Sequence, residues 1–222
     1  MGLHEREELV AMNTARKGFY EFLASVYKVE LTEEQIESLA KCDLPADDEF
    51  VGAGYSAVKE YLRHRDSGTR QELAVDYARV FLGAGMYEQI TAPPYESVYT
   101  SPEHLLMQEA RDEVVACYLS EGLGLPAENT TPEDHLSFEL QFMAKLIERA
   151  QAALKAGDDA RYAALCEKQR LFFDEHLAGW VPRLCADVRA YARTAFYRGI
   201  ADITEGFLAL EDQVIEPVGK AA

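Results

Sequence analysis

The sequence predicts an all-α fold, and three observations carry that prediction. Apolar residues recur at three-to-four spacing through most of the chain. Helix-starting and helix-stopping residues punctuate those repeats, and no stretch alternates apolar and polar residues as a half-buried strand does. Residues 4–28 place Met12, Ala15, Phe19, Phe22, Leu23 and Val26 at helical spacing, giving one broad buried face. Thr32 opens TEEQIESLAK as a capping box with Gln35. The polar, proline-bearing run DLPADDEF reads as a connection, and helical stretches follow over about 47–65 and 69–82. From Gly83 to Thr100 the pattern breaks: Gly83, Gly85, Pro93-Pro94 and the tyrosines 87, 95 and 99 form a long irregular connection, a kind of segment that is usually functional.

Ser101-Pro102-Glu103 has the order of cap, first-turn proline and acid, so a helix is expected from there to about Glu121. The run Gly122-Leu123-Gly124-Leu125-Pro126 stops it. Thr131-Pro132-Glu133-Asp134 repeats the start signal: a hydroxyl cap, a proline at the first helical position and two carboxylates near the positive end of the helix dipole. His135 does not fit that scheme, because the dipole disfavours imidazolium there. The helix so begun carries Leu136, Leu140, Met143 and Ile147 on one stripe and Phe138, Phe142 and Leu146 on another, which makes it central and mostly buried. It ends near Lys155-Ala156-Gly157, and Asp158 opens the next, with Tyr162, Leu165, Cys166, Gln169, Phe172 and Phe173 along one face. Trp180 and Pro182 mark a turn, and a last run from Leu184 to Phe207 is expected to be interrupted near Gly199. The expected organisation is an N-terminal helical part over 1–121, a hinge over 122–131 and a C-terminal helical part over 132–222, together one compact domain.

Composition narrows the function. A formal charge of −17 argues against nucleic acid or an anionic membrane surface and suits a basic partner, such as an arginine-bearing peptide. The cysteines Cys42, Cys117, Cys166 and Cys185 show no CxxC spacing, and each lies on or beside an apolar helical face, where a buried thiol is expected. With an acidic N-terminus lacking an apolar core, and no apolar run long enough to span a bilayer, a cytoplasmic protein without stable membrane insertion is expected.

Sites for catalysis are scarce. None of the five histidines has a glutamate three residues before it, and HExxH, GxxxxGK[ST] and GxSxG are absent; Gly219-Lys220 lacks the earlier glycine of a phosphate loop. His135 and Glu139 share a helix face at i,i+4, so a small metal-dependent hydrolase using Asp134, His135 and Glu139 is one alternative. No cofactor is indicated. Peptide binding is the other reading: Tyr77, Phe81, Tyr95 and Tyr99 cluster beside one irregular loop, and Glu133 and Asp134 offer carboxylates for arginine.

Several motifs stand in a specific order: Asp76-Tyr77-x-x-x-Phe81-Leu82-Gly83, then Pro93-Pro94-Tyr95-Glu96-Ser97-Val98-Tyr99, then Pro132-Glu133-Asp134-His135 with Glu139-Leu140-x-Phe142-Met143, and finally His176-Leu177-x-x-Trp180. Over about residues 10–210 the chain resembles the TorD/DmsD family of chaperones. The resemblance implies an all-α fold and a non-enzymatic, cytoplasmic protein. It implies binding of the twin-arginine signal peptide and the apo form of a molybdenum-cofactor oxidoreductase catalytic subunit before export. It implies a peptide site built from Asp134 and His135 with Glu133, and from Tyr77, Phe81, the Pro94-Tyr95-Glu96 loop and Tyr99. Thr131 departs from the acidic residue that commonly precedes the proline in the family. A monomer or a homodimer fits, and a delta-type factor that binds a mature redox-enzyme subunit is the alternative within the same family.

Overall fold

The computed structural model describes residues 3–42, 47–84 and 91–215, all α-helix and connection with no strand among them. Gly85, Tyr87, Gly219-Lys220 and residues 43–46 of the DLPADDEF run lie outside the described residues. The helices are α1 (Leu3–Lys28), α2 (Glu33–Lys41), α3 (Gly52–Arg63), α4 (Thr69–Phe81), α5 (Glu96–Thr100), α6 (Glu109–Ser120), α7 (Leu136–Ala156), α8 (Asp159–His176), α9 (Val181–Tyr191) and α10 (Ala195–Val214). They fall into two compact units. The first takes residues 1–28, 95–179 and 213–222, and the second takes 29–94 and 180–212. The expected hinge at 122–131 lies inside the first unit, because α6 and α7 on either side of it belong to the same body.

In the first unit, α7 carries the core. Leu136, Phe138, Leu140, Phe142, Met143, Leu146 and Ile147 are all buried, as their two stripes require. α1 packs on it and buries Tyr20, Leu23, Ala24 and Tyr27, a face rotated from the expected one, for Ala15 is exposed and Asn13 and Arg16 are buried instead. Arg16 donates to Asn13 Oδ1 at 2.9 Å and to Gln169 Oε1 at 3.0 Å, so a buried polar chain replaces apolar packing there. Gly157, at φ 75°, closes α7 in the left-handed conformation that a glycine adopts freely, and the Asp158 carboxylate caps α8 by accepting the Arg161 N–H.

Two helix starts differ from expectation. Ser101-Pro102-Glu103 does not begin a helix: α5 ends at Ser101, His104 and Met107 take positive φ (55° and 61°), and α6 starts at Glu109. The connection is held by tertiary bonds, with Ser97 Oγ accepting the Gln108 N–H at 3.1 Å and His104 Nδ1 donating to the Val98 carbonyl at 2.8 Å. Thr131 does not cap α7 either. Residues 131–134 turn, and the cap is His135, whose Nδ1 accepts the Ser137 N–H at 3.1 Å.

In the second unit, α3 and α10 cross at two glycines. A Cβ on Gly199 would lie 2.9 Å from the Gly54 carbonyl oxygen, and one on Gly54 would lie 2.7 Å from the Gly199 carbonyl oxygen. Gly199 therefore sits within an unbroken helix as a point of close approach. The break expected there falls instead at Ala192–Thr194, between α9 and α10. The buried Asp76 makes that corner: its carboxylate accepts the Arg193 N–H at 3.0 Å, the Thr194 N–H at 2.7 Å, the Thr194 hydroxyl at 2.8 Å and Arg79 at 3.0 Å. Burial works to raise the Asp76 carboxyl, but those donors outweigh it and hold it below the usual carboxylate range.

Of the cysteines, Cys185 alone is buried as expected. Cys42, the residue that ends α2, is exposed, and Cys117 and Cys166 are half-buried.

Candidate functional site

The polar residues of the first unit converge where the Tyr95–Thr100 segment meets the turn before α7. Asp134 is fully buried. Its Oδ2 accepts the Ser97 N–H at 2.9 Å, its backbone carbonyl accepts the Glu96 N–H at 3.0 Å, and Tyr95 and His135 form an isolated antiparallel bridge. Oδ1 of Asp134 has no hydrogen-bond partner, an uncommon state for a buried carboxylate oxygen. The Tyr95 ring stands edge-on to His135 at 4.8 Å. Burial, reinforced by the charge of Lys28, pushes His135 down to about 4, so the imidazole is neutral and can accept the Ser137 N–H. A neutral imidazole escapes the dipole objection at a helix N-terminus, which accounts for a histidine in that position.

Behind the turn lies a charged cluster. Glu96 and Glu139 are both buried, and Glu139 is among the groups that lower the Glu96 carboxyl against its burial. Glu96 also accepts from His176 Nδ1 at 3.1 Å, and Nε2 of that ring lies 3.8 Å from Cys117 Sγ. Burial opposes an imidazolium at His176, but the hydrogen bonds to Cys117 and Glu96 and the Glu96 charge prevail and lift it to about 10. Burial raises the Glu96 carboxyl, and His176 offsets that only in part. Tyr118 packs against Phe142 and donates to the Glu133 carbonyl at 3.1 Å.

Glu133 itself is half-buried and holds Arg111 Nε at 2.6 Å, a contact that keeps its carboxyl below the usual range. Leu105, Leu106 and Met107 stand exposed on the connection between α5 and α6. Among the described residues no group of three or more His, Cys, Asp or Glu is arranged to hold a metal ion, and no helix is long and apolar enough to cross a membrane.

Of the residues expected from the sequence, Tyr95, Glu96, Tyr99, Glu133, Asp134 and His135 lie in the first unit, where Tyr95 and Glu96 meet the Asp134–His135 turn directly. Tyr77, Phe81 and Pro94 lie in the second. There Tyr77 and Phe81 are buried and stack with Tyr197, at 6.2 and 5.6 Å between ring centroids. Arg111, Cys117 and Tyr118 were not legible as partners of this turn, and His176 stands eighty residues from the glutamate it binds.

The model of the family described as nitrate reductase delta subunit matches residues 44–186. The chain belongs to that family. Chaperone protein TorD from a Psychrobacter species is 27% identical over 99% of this chain and 100% of its own length. Those of Photobacterium profundum (26%, 92% and 96%) and Vibrio cholerae (25%, 95% and 96%) are similar in reach. The motif order that resembles the TorD/DmsD chaperones agrees with both comparisons. The family is one of redox-enzyme maturation chaperones and not of catalysts.

Proposed function

We propose that this chain binds the twin-arginine signal peptide of a molybdenum-cofactor oxidoreductase in the cytoplasm and assists maturation of that enzyme before export. The observation that carries the reading is the Arg111–Glu133 pair. It places a carboxylate, already geared to a guanidinium, at the rim of a buried acidic turn, in a chain of net charge −17. A leader arginine would exchange with Arg111, and the apolar stretch that follows would lie on Leu105, Leu106 and Met107. Asp134 and His135, being buried, serve by fixing the Tyr95–Thr100 segment against the turn rather than by touching the peptide.

Calorimetry with a client leader peptide tests this. Glu133→Ala is expected to weaken binding about tenfold, roughly 1.4 kcal/mol, and replacing the two leader arginines by lysine should cost a similar amount. Asp134→Ala combined with His135→Ala should also weaken binding, and unchanged affinity in that double variant would remove both residues from the site. The delta-subunit family match favours a second reading, an assembly factor for a mature subunit. That factor would bind client lacking its leader as tightly as intact client.

A further inference from the structure

Cys117, His176 and Glu96 form a relay that the peptide-binding role does not use. Cys117 Sγ is 3.8 Å from His176 Nε2, and His176 Nδ1 donates to Glu96 Oε2 at 3.1 Å. Glu96 is fixed in turn through its backbone N–H, which donates to the Asp134 carbonyl. A sulfur beside a carboxylate-oriented imidazolium has the arrangement of an activated nucleophile. His176 is 3% exposed, whereas Cys117, on the neighbouring α6, is half-buried and keeps a path to solvent.

The groups that face this sulfur come from every element around it. His176 stands on α8 and Glu96 on α5; Glu139 stands on α7, with Asp134 before it, and Tyr118 is on α6 itself. The Tyr118 hydroxyl is pushed up by burial and by the charges of Glu139, Asp134, Cys117 and Glu96. The carboxylates of Glu96, Asp134 and Glu139 disfavour anionic reagents and leave a small neutral one as the better fit.

We infer that Cys117 is a modification site for a small uncharged oxidant of the hydrogen peroxide class, its sulfur reacting as the thiolate paired with the His176 imidazolium, which protonates the leaving oxygen. In the step, Sγ attacks one peroxide oxygen, an S–O bond forms and the O–O bond breaks. The sulfur is oxidised to a sulfenic acid, and the leaving hydroxide takes the proton from His176 and departs as water. The inference does not depend on the peptide-binding proposal.

The test is trapping of sulfenic acid by dimedone after hydrogen peroxide treatment of the full chain, read residue by residue by mass spectrometry, with exposed Cys42 as the reference in the same tube. Cys117 is expected to be trapped faster than Cys42, and His176→Asn is expected to slow Cys117 at least tenfold while leaving Cys42 unchanged. A merely structural His176 predicts the opposite sign, since loosening the pocket would expose Sγ and speed its oxidation. Should that variant not fold, Glu96→Gln, which keeps the imidazole but removes the carboxylate charge that holds it protonated, must slow Cys117 as well. Trapping at Cys117 no faster than at Cys42, or unchanged or faster trapping in the folded variant, overturns the inference.

Discussion

Asp76 and Asp134 are both buried aspartates, and they are opposite in what surrounds them. Asp76, in the second unit, spends both oxygens on two backbone N–H groups, a hydroxyl and a guanidinium, and so ties α4 to the start of α10. Asp134, in the first, accepts one backbone N–H through Oδ2 and leaves Oδ1 without a partner. A carboxylate whose acceptors are filled is an architectural fitting. One that is half filled stores unfavourable desolvation, and it persists only where something else requires it. The contrast separates two motifs that look alike in the sequence, DYxxxFLG and PEDH.

The contrast is broken most severely by Asp76→Ala, which strands several buried donors at once. Chemical denaturation should show a loss of about 3–5 kcal/mol, against about 1 kcal/mol or less for Asp134→Asn, where an unpartnered oxygen is replaced. Equal losses would refute the distinction. Gly199→Ala, which forces a methyl group to 2.9 Å from both the Gly54 carbonyl oxygen and Val58 Cγ2, should cost roughly 1–3 kcal/mol by the same measurement, with helix content in the native state unchanged. A loss of helix would mean that Gly199 serves as a hinge after all.

A further effect is the pH dependence that His135 contributes from the first unit. His135 has a folded value near 4 against about 6.5 when unfolded, so the unfolded chain binds the proton more readily between those values. Its contribution is complete above about pH 6.5 and falls as pH drops to 4, by at most roughly 3 kcal/mol. His135→Asn keeps a capping side chain and removes the titration. Its stability should therefore decline less steeply than that of the parent from pH 6.5 to 4, and parallel curves would assign the neutral imidazole no energetic role.

Caps made by neighbouring residues were legible in the sequence. Thr32 with Gln35, Gly157 and Asp158 all act as their spacing predicts, and the apolar breadth of α7 matches its burial. Starts decided from afar were not. Ser101-Pro102-Glu103 has good local chemistry, but Ser97 and Val98 hold the following residues in a different path. Thr131 yields to His135 because Asp134 is committed to Ser97, and the break before α10 is set by Asp76, 118 residues from Thr194. The candidate site was visible as PEDH and PPYES in the sequence, while its Cys117–His176–Glu96 arm depended on contacts that no spacing encodes.

Both units are discontinuous, and this has a consequence for synthesis on the ribosome. While α2, α3 and α4 emerge first, the partners of Gly54, Tyr77 and Asp76 arrive only with α10. The first unit waits likewise, since Arg170 donates to the carbonyl of Ile215, after that helix. Both bodies therefore close near the end of translation through contacts of long sequence separation, the kind that slows folding. A chain released short of its last helix would expose two unfinished cores at once, and would itself be a client for other chaperones.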